Sequence, residues 1–140
     1  MKLALNEAKK SLKYGEVPVG CIIVYKNKVI AKGFNMKERK KCVLYHAEMI
    51  AIEKASKKLN NWRLNDCEMY VTLKPCPMCS SAIKQSRIGK VYYGTDNKNN
   101  SISTLILNDI DINNKVKIEG NILFDECRKI IQNFFKYKRK

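Results

Sequence analysis

The stretch HAEMIAIEKASKKLNNWRLNDCEMYVTLKPCPMC, residues 46–79, decides the fold of this chain. Apolar residues recur at helical spacing from His46 to Leu59, and the run from Glu68 to Leu73 has the composition of a strand. Pro75 then opens a second helix that extends to about Ser86. A helix, a strand and a helix in succession are typical of a layered α/β domain with a central sheet.

Residues before this stretch predict one more helix and two strands. The helix covers residues 3–14 and ends at Gly15. The continuous apolar run from Cys21 to Tyr25 is typical of a buried strand. A turn at Lys26-Asn27 leads into a second strand, Lys28 to Gly33, and a lysine-rich loop over residues 35–45 then delivers His46 to its helix.

Residues after this stretch predict two strands and a terminal helix. The first strand runs from Lys90 to Gly94 and is followed by an Asn-rich loop. A short strand, Lys115 to Ile118, precedes a helix that Asp125 caps and that extends to about Tyr137. Trp62 is predicted to lie in the core.

Length and composition limit the possible classes of protein. The 140 residues have room for one domain, which we place at 1–140. The sequence shows neither a signal peptide nor an apolar run of about 20 residues, so we expect a cytoplasmic protein without a membrane partner. Six cysteines in a reducing compartment favour metal or redox chemistry over disulfides. The formal net charge of +15 favours a polyanionic partner such as RNA, although a lysine-rich composition alone could produce it.

His46, Cys76 and Cys79 have the chemistry of a catalytic zinc site. His46 is the chain's one histidine, and Cys76 and Cys79 form a Cys-x-x-Cys pair behind Pro75. Zinc accepts imidazole and thiolate ligands, and three protein ligands leave a fourth position for water. A structural site that takes Cys67 or Cys127 as fourth ligand is the alternative, but neither residue belongs to a second ligand-spaced pair.

Glu48 is the candidate catalytic residue. It lies two residues beyond His46, so its carboxylate can approach the metal without binding it. A carboxylate in this position can take a proton from the activated water, pass one to a ring nitrogen and protonate a leaving amine. The combined pattern His-x-Glu and Pro-Cys-x-x-Cys resembles the signature of zinc-dependent nucleobase deaminases.

Motifs along nearly the whole chain resemble the bacterial tRNA-specific adenosine deaminases in order and spacing. They are Glu16-Val17-Pro18-Val19-Gly20, Gly33-Phe34-Asn35, His46-Ala47-Glu48-Met49, Asn61-Trp62-Arg63-Leu64, Tyr70-Val71-Thr72-Leu73, Pro75-Cys76 with Met78-Cys79, Ser86-Arg87-Ile88-Gly89 and Asp125-Glu126-Cys127. The resemblance implies a three-layer α/β/α cytidine deaminase-like fold with a mixed five-stranded sheet flanked by helices. It also implies a homodimer with one Zn²⁺ per subunit that converts the wobble adenosine of an arginine tRNA anticodon arm to inosine.

The resemblance also implies roles for residues outside the zinc site. Asn35 matches the asparagine that hydrogen-bonds the flipped purine. The residues that match its pocket lining are Val19, Ala47 and Pro75. Asp96 and Lys98 match a loop that contacts the anticodon backbone.

The C-terminal segment suggests RNA contacts on its own chemistry. Phe135, Lys138 and Arg139 combine an aromatic ring for stacking on splayed bases with cations for phosphates. The alternative for Phe134 and Phe135 is ordinary helix packing, which we expect of at least one of them.

The chain departs from the family at three places. Lys74 replaces the usual Glu before Pro-Cys, Tyr45 replaces a small residue before His46, and the loop after Gly94 is one residue short, with Asn99-Asn100 in place of glycines. Two other functions remain open at this point. One is a small-molecule deaminase of guanine, cytosine or a nucleotide, and the other is a non-catalytic, zinc-stabilised RNA-binding module, which would have no need of Glu48.

Overall fold

The structure is a computed structural model that describes residues 1–97, 101–109 and 116–138. Its helices are α1 (Lys2–Leu12), α2 (Lys37–Lys40), α3 (Ala47–Leu59), α4 (Pro77–Gln85), α5 (Ser101–Asn108) and α6 (Phe124–Lys138). Its strands are β1 (Gly20–Tyr25), β2 (Lys28–Phe34), β3 (Cys67–Leu73), β4 (Lys90–Thr95) and β5 (Lys117–Glu119). Within the described ranges, no helix is both long and apolar enough to cross a bilayer.

The five strands form one mixed sheet in the order β2-β1-β3-β4-β5. β1 pairs antiparallel with β2 and β3, whereas β3, β4 and β5 are parallel. The β1–β2 turn is tight because Lys26 and Asn27 both have positive φ, 49° and 64°, as the favoured two-residue hairpin turns require. The parallel strands are joined through α4 and α5, as crossover connections demand. The predicted mixed, five-stranded sheet flanked by helices is confirmed.

Two glycines show that helices cover both faces of the sheet. A Cβ atom added to Gly20 would lie 1.9 Å from the Ala4 carbonyl oxygen of α1, and one added to Gly33 would lie 2.4 Å from the Ala47 carbonyl oxygen of α3. Gly20 pairs with Phe34, and Gly33 pairs with Cys21, so the two glycines face opposite sides of the sheet. α1 and α3 therefore lie on opposite faces, which is the predicted three-layer arrangement.

Several predicted element boundaries need correction. α4 begins at Pro77 and not at Pro75, because Cys76 takes the N-cap position in extended conformation. The loop predicted over residues 35–45 contains the short helix α2, and the loop after β4 is followed by α5, which the sequence reading missed. Asp125 lies within the first turn of α6 and not at its cap. Lys115, where the last strand was expected to begin, lies outside the described residues.

The prediction that Trp62 lies in the core is wrong. Its side chain is 53% exposed. The guanidinium groups of Arg63 and Arg87 lie 4.4 and 5.7 Å from the indole ring. Cation–π contact with these two side chains replaces core packing as the indole's environment.

A candidate metal centre and its cavity

The structure brings His46, Cys76 and Cys79 together. Their ligand atoms all lie within 4.8 Å of one another. Nδ1 of His46 is 3.7 Å from Sγ of Cys76 and 3.4 Å from Sγ of Cys79. One ion can therefore contact all three side chains, although they come from two segments about 30 positions apart.

Two helix starts place the three side chains. His46 is the N-cap of α3 and Cys76 is the N-cap of α4, both in extended backbone conformation, with ψ of 154° and 171°. Cys79 lies in the first turn of α4 and is fully buried. The N-terminus of a helix carries partial positive charge, so both helices favour the thiolate form of the cysteines.

The three groups share protons through hydrogen bonds. A hydrogen bond from the Cys79 thiol lowers the pKa of Cys76 to about 4, and the same bond raises the pKa of Cys79. The hydrogen bond to Cys76 also raises the pKa of His46. A cation that binds here replaces these shared protons, because metal ligation requires thiolates and a neutral imidazole.

This donor set fits zinc. One imidazole nitrogen and two thiolate sulfurs are ligands that zinc accepts readily. Among the described residues, no other group of three or more such side chains could hold a metal ion. Neither Cys67 nor Cys127 belongs to the cluster, so the structural site with a fourth cysteine ligand finds no support there.

Glu48 lies beside the cluster without belonging to it. It is the second residue of α3, and only 4% of it is exposed. Burial raises the pKa of Glu48 to about 7, although its own backbone amide and His46 partly oppose this effect. A carboxyl group with a pKa near neutrality can both accept and donate a proton at physiological pH, which suits a proton shuttle.

A cavity of about 360 Å³ opens onto these residues. Its size lies within the range of small-ligand pockets. The lining residues come from the α1–β1 connection, from the segment after β2 with α2, from the starts of α3 and α4, from the ends of β3 and β4, and from α6: Gly15, Glu16, Val17, Val19, Asn35, Lys37, Glu38, His46, Ala47, Glu48, Leu73, Lys74, Cys76, Asn97, Phe135 and Lys138. The cavity therefore presents His46, Cys76 and Glu48 to a ligand.

Asn35 is held in the cavity wall by backbone contacts. Its side-chain Nδ2 donates to the Val17 carbonyl at 3.1 Å, and its Oδ1 accepts from the Lys37 amide at 3.1 Å. An amide side chain offers two donor hydrogens and two acceptor lone pairs. One donor and one acceptor site of Asn35 therefore remain for a ligand.

Glu16 is a site residue for which the sequence reading assigned no role. Its carboxylate is 1% exposed and accepts hydrogen bonds from the backbone amides of Glu38 at 3.0 Å and Arg39 at 2.8 Å. These bonds fix the start of α2, directly after Asn35. The sequence signal for this role is a single carboxylate directly before an apolar segment. Such a carboxylate is buried with the segment only where it has hydrogen-bond partners.

The predicted pocket and RNA-contact residues differ in where the structure places them. Val19, Asn35, Ala47, Phe135 and Lys138 line the cavity, whereas Pro75 is buried next to Cys76 and does not line it. Asp96 is exposed, and its carboxylate lies 3.6 Å from the ammonium of Lys74. Lys98 and Arg139 lie outside the described residues. The sequence reading also missed the cavity residues Lys37 and Asn97.

Phe134 and Phe135 have different environments. This agrees with the expectation that at least one of the two rings packs within the protein. Their rings meet edge to face at 5.2 Å, with Phe134 half-buried and Phe135 42% exposed. The Lys138 ammonium lies 5.3 Å from the ring of Phe134. Phe134 therefore packs within the protein, whereas Phe135 reaches the cavity.

Residues 1–95 match the family model of the cytidine and deoxycytidylate deaminase zinc-binding region. The chain is 42% identical to the tRNA-specific adenosine deaminase of Streptococcus pyogenes serotype M1 over 143 residues, which cover 100% of this chain and 84% of that protein. It is 39% identical to the tRNA-specific adenosine deaminase of Bacillus subtilis, with 100% and 89% covered.

Solved structures share the fold. A structure from work on A-to-I editing by tRNA:A34 deaminases is 30% identical, with a TM-score of 0.86 and with 93% of this chain and 96% of the other chain covered. A guanine deaminase from Nitrosomonas europaea has a TM-score of 0.78 at 16% identity, with 95% and 81% covered. The second likeness concerns the fold alone.

Proposed function

The chain belongs to the tRNA-specific adenosine deaminases and contains the zinc-binding region of the cytidine and deoxycytidylate deaminases, and from this premise we propose that the cavity beside His46 is where adenosine becomes inosine. The reaction is hydrolytic, and it takes place at the wobble position of a tRNA anticodon. One observation carries the assignment to this cavity: a buried carboxyl group, Glu48, lies beside a three-ligand metal cluster without belonging to it. A purely structural metal site has no use for such a group.

His46, Cys76 and Cys79 would hold the zinc ion. When bound, zinc supplies Lewis acidity that lowers the pKa of water from 15.7 to about 7, and so provides a nucleophile at neutral pH. Glu48 takes a proton from the water that attacks C6 of the purine and delivers a proton to a ring nitrogen. Glu48 then takes the remaining proton of the C6 hydroxyl and gives it to the departing amine, so that the bond from C6 to the amine breaks and adenosine and water give inosine and ammonia.

Asn35, Val19 and Ala47 would hold the flipped base. The donor and acceptor sites that Asn35 retains can bond the polar edge of a purine, while Val19 and Ala47 supply apolar contact. Pro75 supports the turn before Cys76, from its buried position. A base outside the helical stack needs such a combination of edge contacts and apolar walls.

The outer part of the cavity suits a nucleic acid. Phe135 offers an exposed ring and Lys138 an ammonium group at the same rim. Aromatic stacking and phosphate contact are the usual means of binding unpaired RNA. Asp96, Lys98 and Arg139 would also contact the anticodon arm, which we propose is that of an arginine tRNA.

Three further features belong to the proposal. The enzyme is a homodimer with one zinc ion in each subunit, as the family resemblance implies. It acts in the cytoplasm, where its six cysteines, all free, are compatible with a reducing compartment. Assembly and metal content are measurable by light scattering and by elemental analysis of the same sample.

A synthetic anticodon stem-loop tests the function. Zinc-loaded protein is expected to convert adenosine at the wobble position to inosine, as measured by nucleoside analysis after nuclease digestion. Stem-loops with guanosine at that position, and with adenosine at one other loop position only, are the controls. Turnover of free guanine or cytosine without inosine formation would favour the small-molecule alternative, and binding without any turnover would favour the non-catalytic module.

RNA affinity is expected to fall steeply with salt. Cations that neutralise phosphates release counterions, so the plot of log K against log salt concentration has a slope of about −0.7 to −0.9 per phosphate contact. Lys138→Met should reduce the magnitude of this slope by about one contact, as measured by fluorescence anisotropy with a labelled stem-loop.

A lysine at the far end of α3 is the matched control. Lys57 pairs with Glu53 on the exposed face of this helix, so Lys57→Met should leave the slope unchanged. A flat salt response of the wild-type protein would mean that the charge of +15 reflects composition and not RNA binding.

A further inference from the structure

Lys74 occupies an unusual position for a lysine. It follows the last residue of β3 and precedes the turn that carries Cys76, and its side chain is only 8% exposed. Its backbone amide donates to the Thr95 carbonyl at 2.8 Å, which extends the pairing of β3 with β4. A lysine is almost never this buried without partners.

Among the described residues, groups from three parts of the chain surround the Lys74 ammonium. Nζ donates to the Thr104 hydroxyl of α5. It lies 3.6 Å from the Asp96 carboxylate and 5.6 Å from the centroid of the Tyr93 ring in β4. The ammonium therefore links α5, the segment after β4 and β4 itself to the turn before the metal ligands.

The segment after β4, which contains Asp96 and Asn97, contributes to the cavity wall through Asn97. Asn97 lines the cavity together with Lys74 and Cys76, and Phe135 and Lys138 of α6 also contribute to the lining. The Lys74 ammonium contacts protein groups, and its side chain is almost inaccessible to solvent. These contacts therefore suit a residue that positions the cavity wall better than one that binds a phosphate directly.

We propose that Lys74 is a positioning residue that ties Asp96 to α5, thereby keeps the adjacent cavity residue Asn97 in place, and so sets the affinity for the RNA substrate. The identity of the substrate rests on the function proposed above, whereas the contacts of Lys74 do not. Loss of the ammonium leaves Asp96, which is 40% exposed and can be solvated. The consequence is therefore local loosening and not global unfolding.

Lys74→Met tests the proposal, because methionine keeps most of the apolar stem and removes the ammonium. Amide hydrogen exchange in a peptide covering residues 101–109 is expected to become about tenfold faster. KM for the stem-loop should rise about tenfold while kcat changes less than about twofold, and zinc content should remain that of the wild type.

Lys90→Met is the matched control. Lys90 lies at the opposite end of β4, with its Nζ 4.0 Å from a carboxylate oxygen of Glu68. The substitution removes the same charge, so it reports any general loss of RNA attraction. Neither the exchange rate of residues 101–109 nor KM should change in this variant.

A double variant shows whether Thr104 and Lys74 act as a pair. Thr104→Val alone should change exchange and KM in the same direction as Lys74→Met, and the double variant should be no worse than Lys74→Met alone. Unchanged exchange in Lys74→Met, equal effects of Lys74→Met and Lys90→Met, or loss of zinc from Lys74→Met would each overturn the proposal. Absence of stem-loop deamination by the wild type would overturn the proposed function, and hydrogen exchange would still decide the role of Lys74.

Discussion

Glu48→Gln is expected to retain zinc and to lower kcat for the stem-loop by about 10²–10⁴-fold, the range that general acid–base groups contribute. Glutamine matches the shape of glutamate but cannot carry the proton from water to the ring nitrogen and the leaving amine. KM should change little, because the cavity walls remain. Single-turnover formation of inosine, together with metal analysis of the same preparation, measures both quantities.

Glu53→Gln is the matched control for Glu48→Gln. Glu53 lies on the same helix, with its carboxylate in an exposed salt bridge to Lys57. An exposed pair of this kind contributes only about 0.3–0.5 kcal/mol, so activity and stability should both stay close to those of the wild type. Wild-type turnover by Glu48→Gln with zinc bound would refute the shuttle assignment.

Cys76→Ala is expected to abolish zinc binding, to reduce deamination to background and to lower Tm on the order of 5–10 °C. The reason is that His46 and Cys79, the two ligands that remain, cannot hold the ion tightly. The folded state therefore loses the free energy of metal binding. A chelator should lower Tm of the wild type toward the value of the variant. The same chelator should leave Tm of the variant unchanged.

Cys42→Ala controls for the loss of a thiol as such. Cys42 is a half-buried free cysteine that precedes α3 and does not belong to the metal cluster. This variant should bind as much zinc as the wild type and respond equally to the chelator. A full equivalent of tightly bound zinc in Cys76→Ala would show that the ion is held elsewhere.

The candidate metal cluster and most strands could be predicted from the sequence because local chemistry specifies them. Zinc requires a small set of donor types, and the run Cys21-Ile22-Ile23-Val24 has few options other than a buried strand. The spacing of Glu48, two residues after His46, also predicts that its carboxylate lies near the cluster without belonging to it. These features depend on residues that are close in sequence.

Helix α5 could not be predicted, because its sequence opposes its structure. Ile102, Thr104 and Ile106 are β-branched, and such side chains prefer strands. Packing against α4 buries Ser103 and Leu107, which share one helix face, and this tertiary contact overrides local propensity. The wrong prediction for Trp62 has a similar origin. One of the two guanidinium groups beside its ring belongs to Arg87, which lies 25 positions later in the sequence.

The roles of Glu16 and Lys74 depend on partners distant in sequence. The Glu16 carboxylate binds amides 22 and 23 positions later, and the Lys74 ammonium contacts Thr104, 30 positions later. Sequence alone could mark Lys74 as a departure from the family pattern, but not name what surrounds it. Long-range contacts of this kind follow from the fold and not from a motif.

The meeting of His46 Nδ1 with two sulfur atoms has a practical consequence for spectroscopy. Since the chain has one histidine, every imidazole resonance in a ¹⁵N or ¹³C spectrum of labelled protein arises from the candidate metal centre. A single titration of apo-protein with metal, followed through that signal, reports ligation, tautomer and stoichiometry without any resonance assignment.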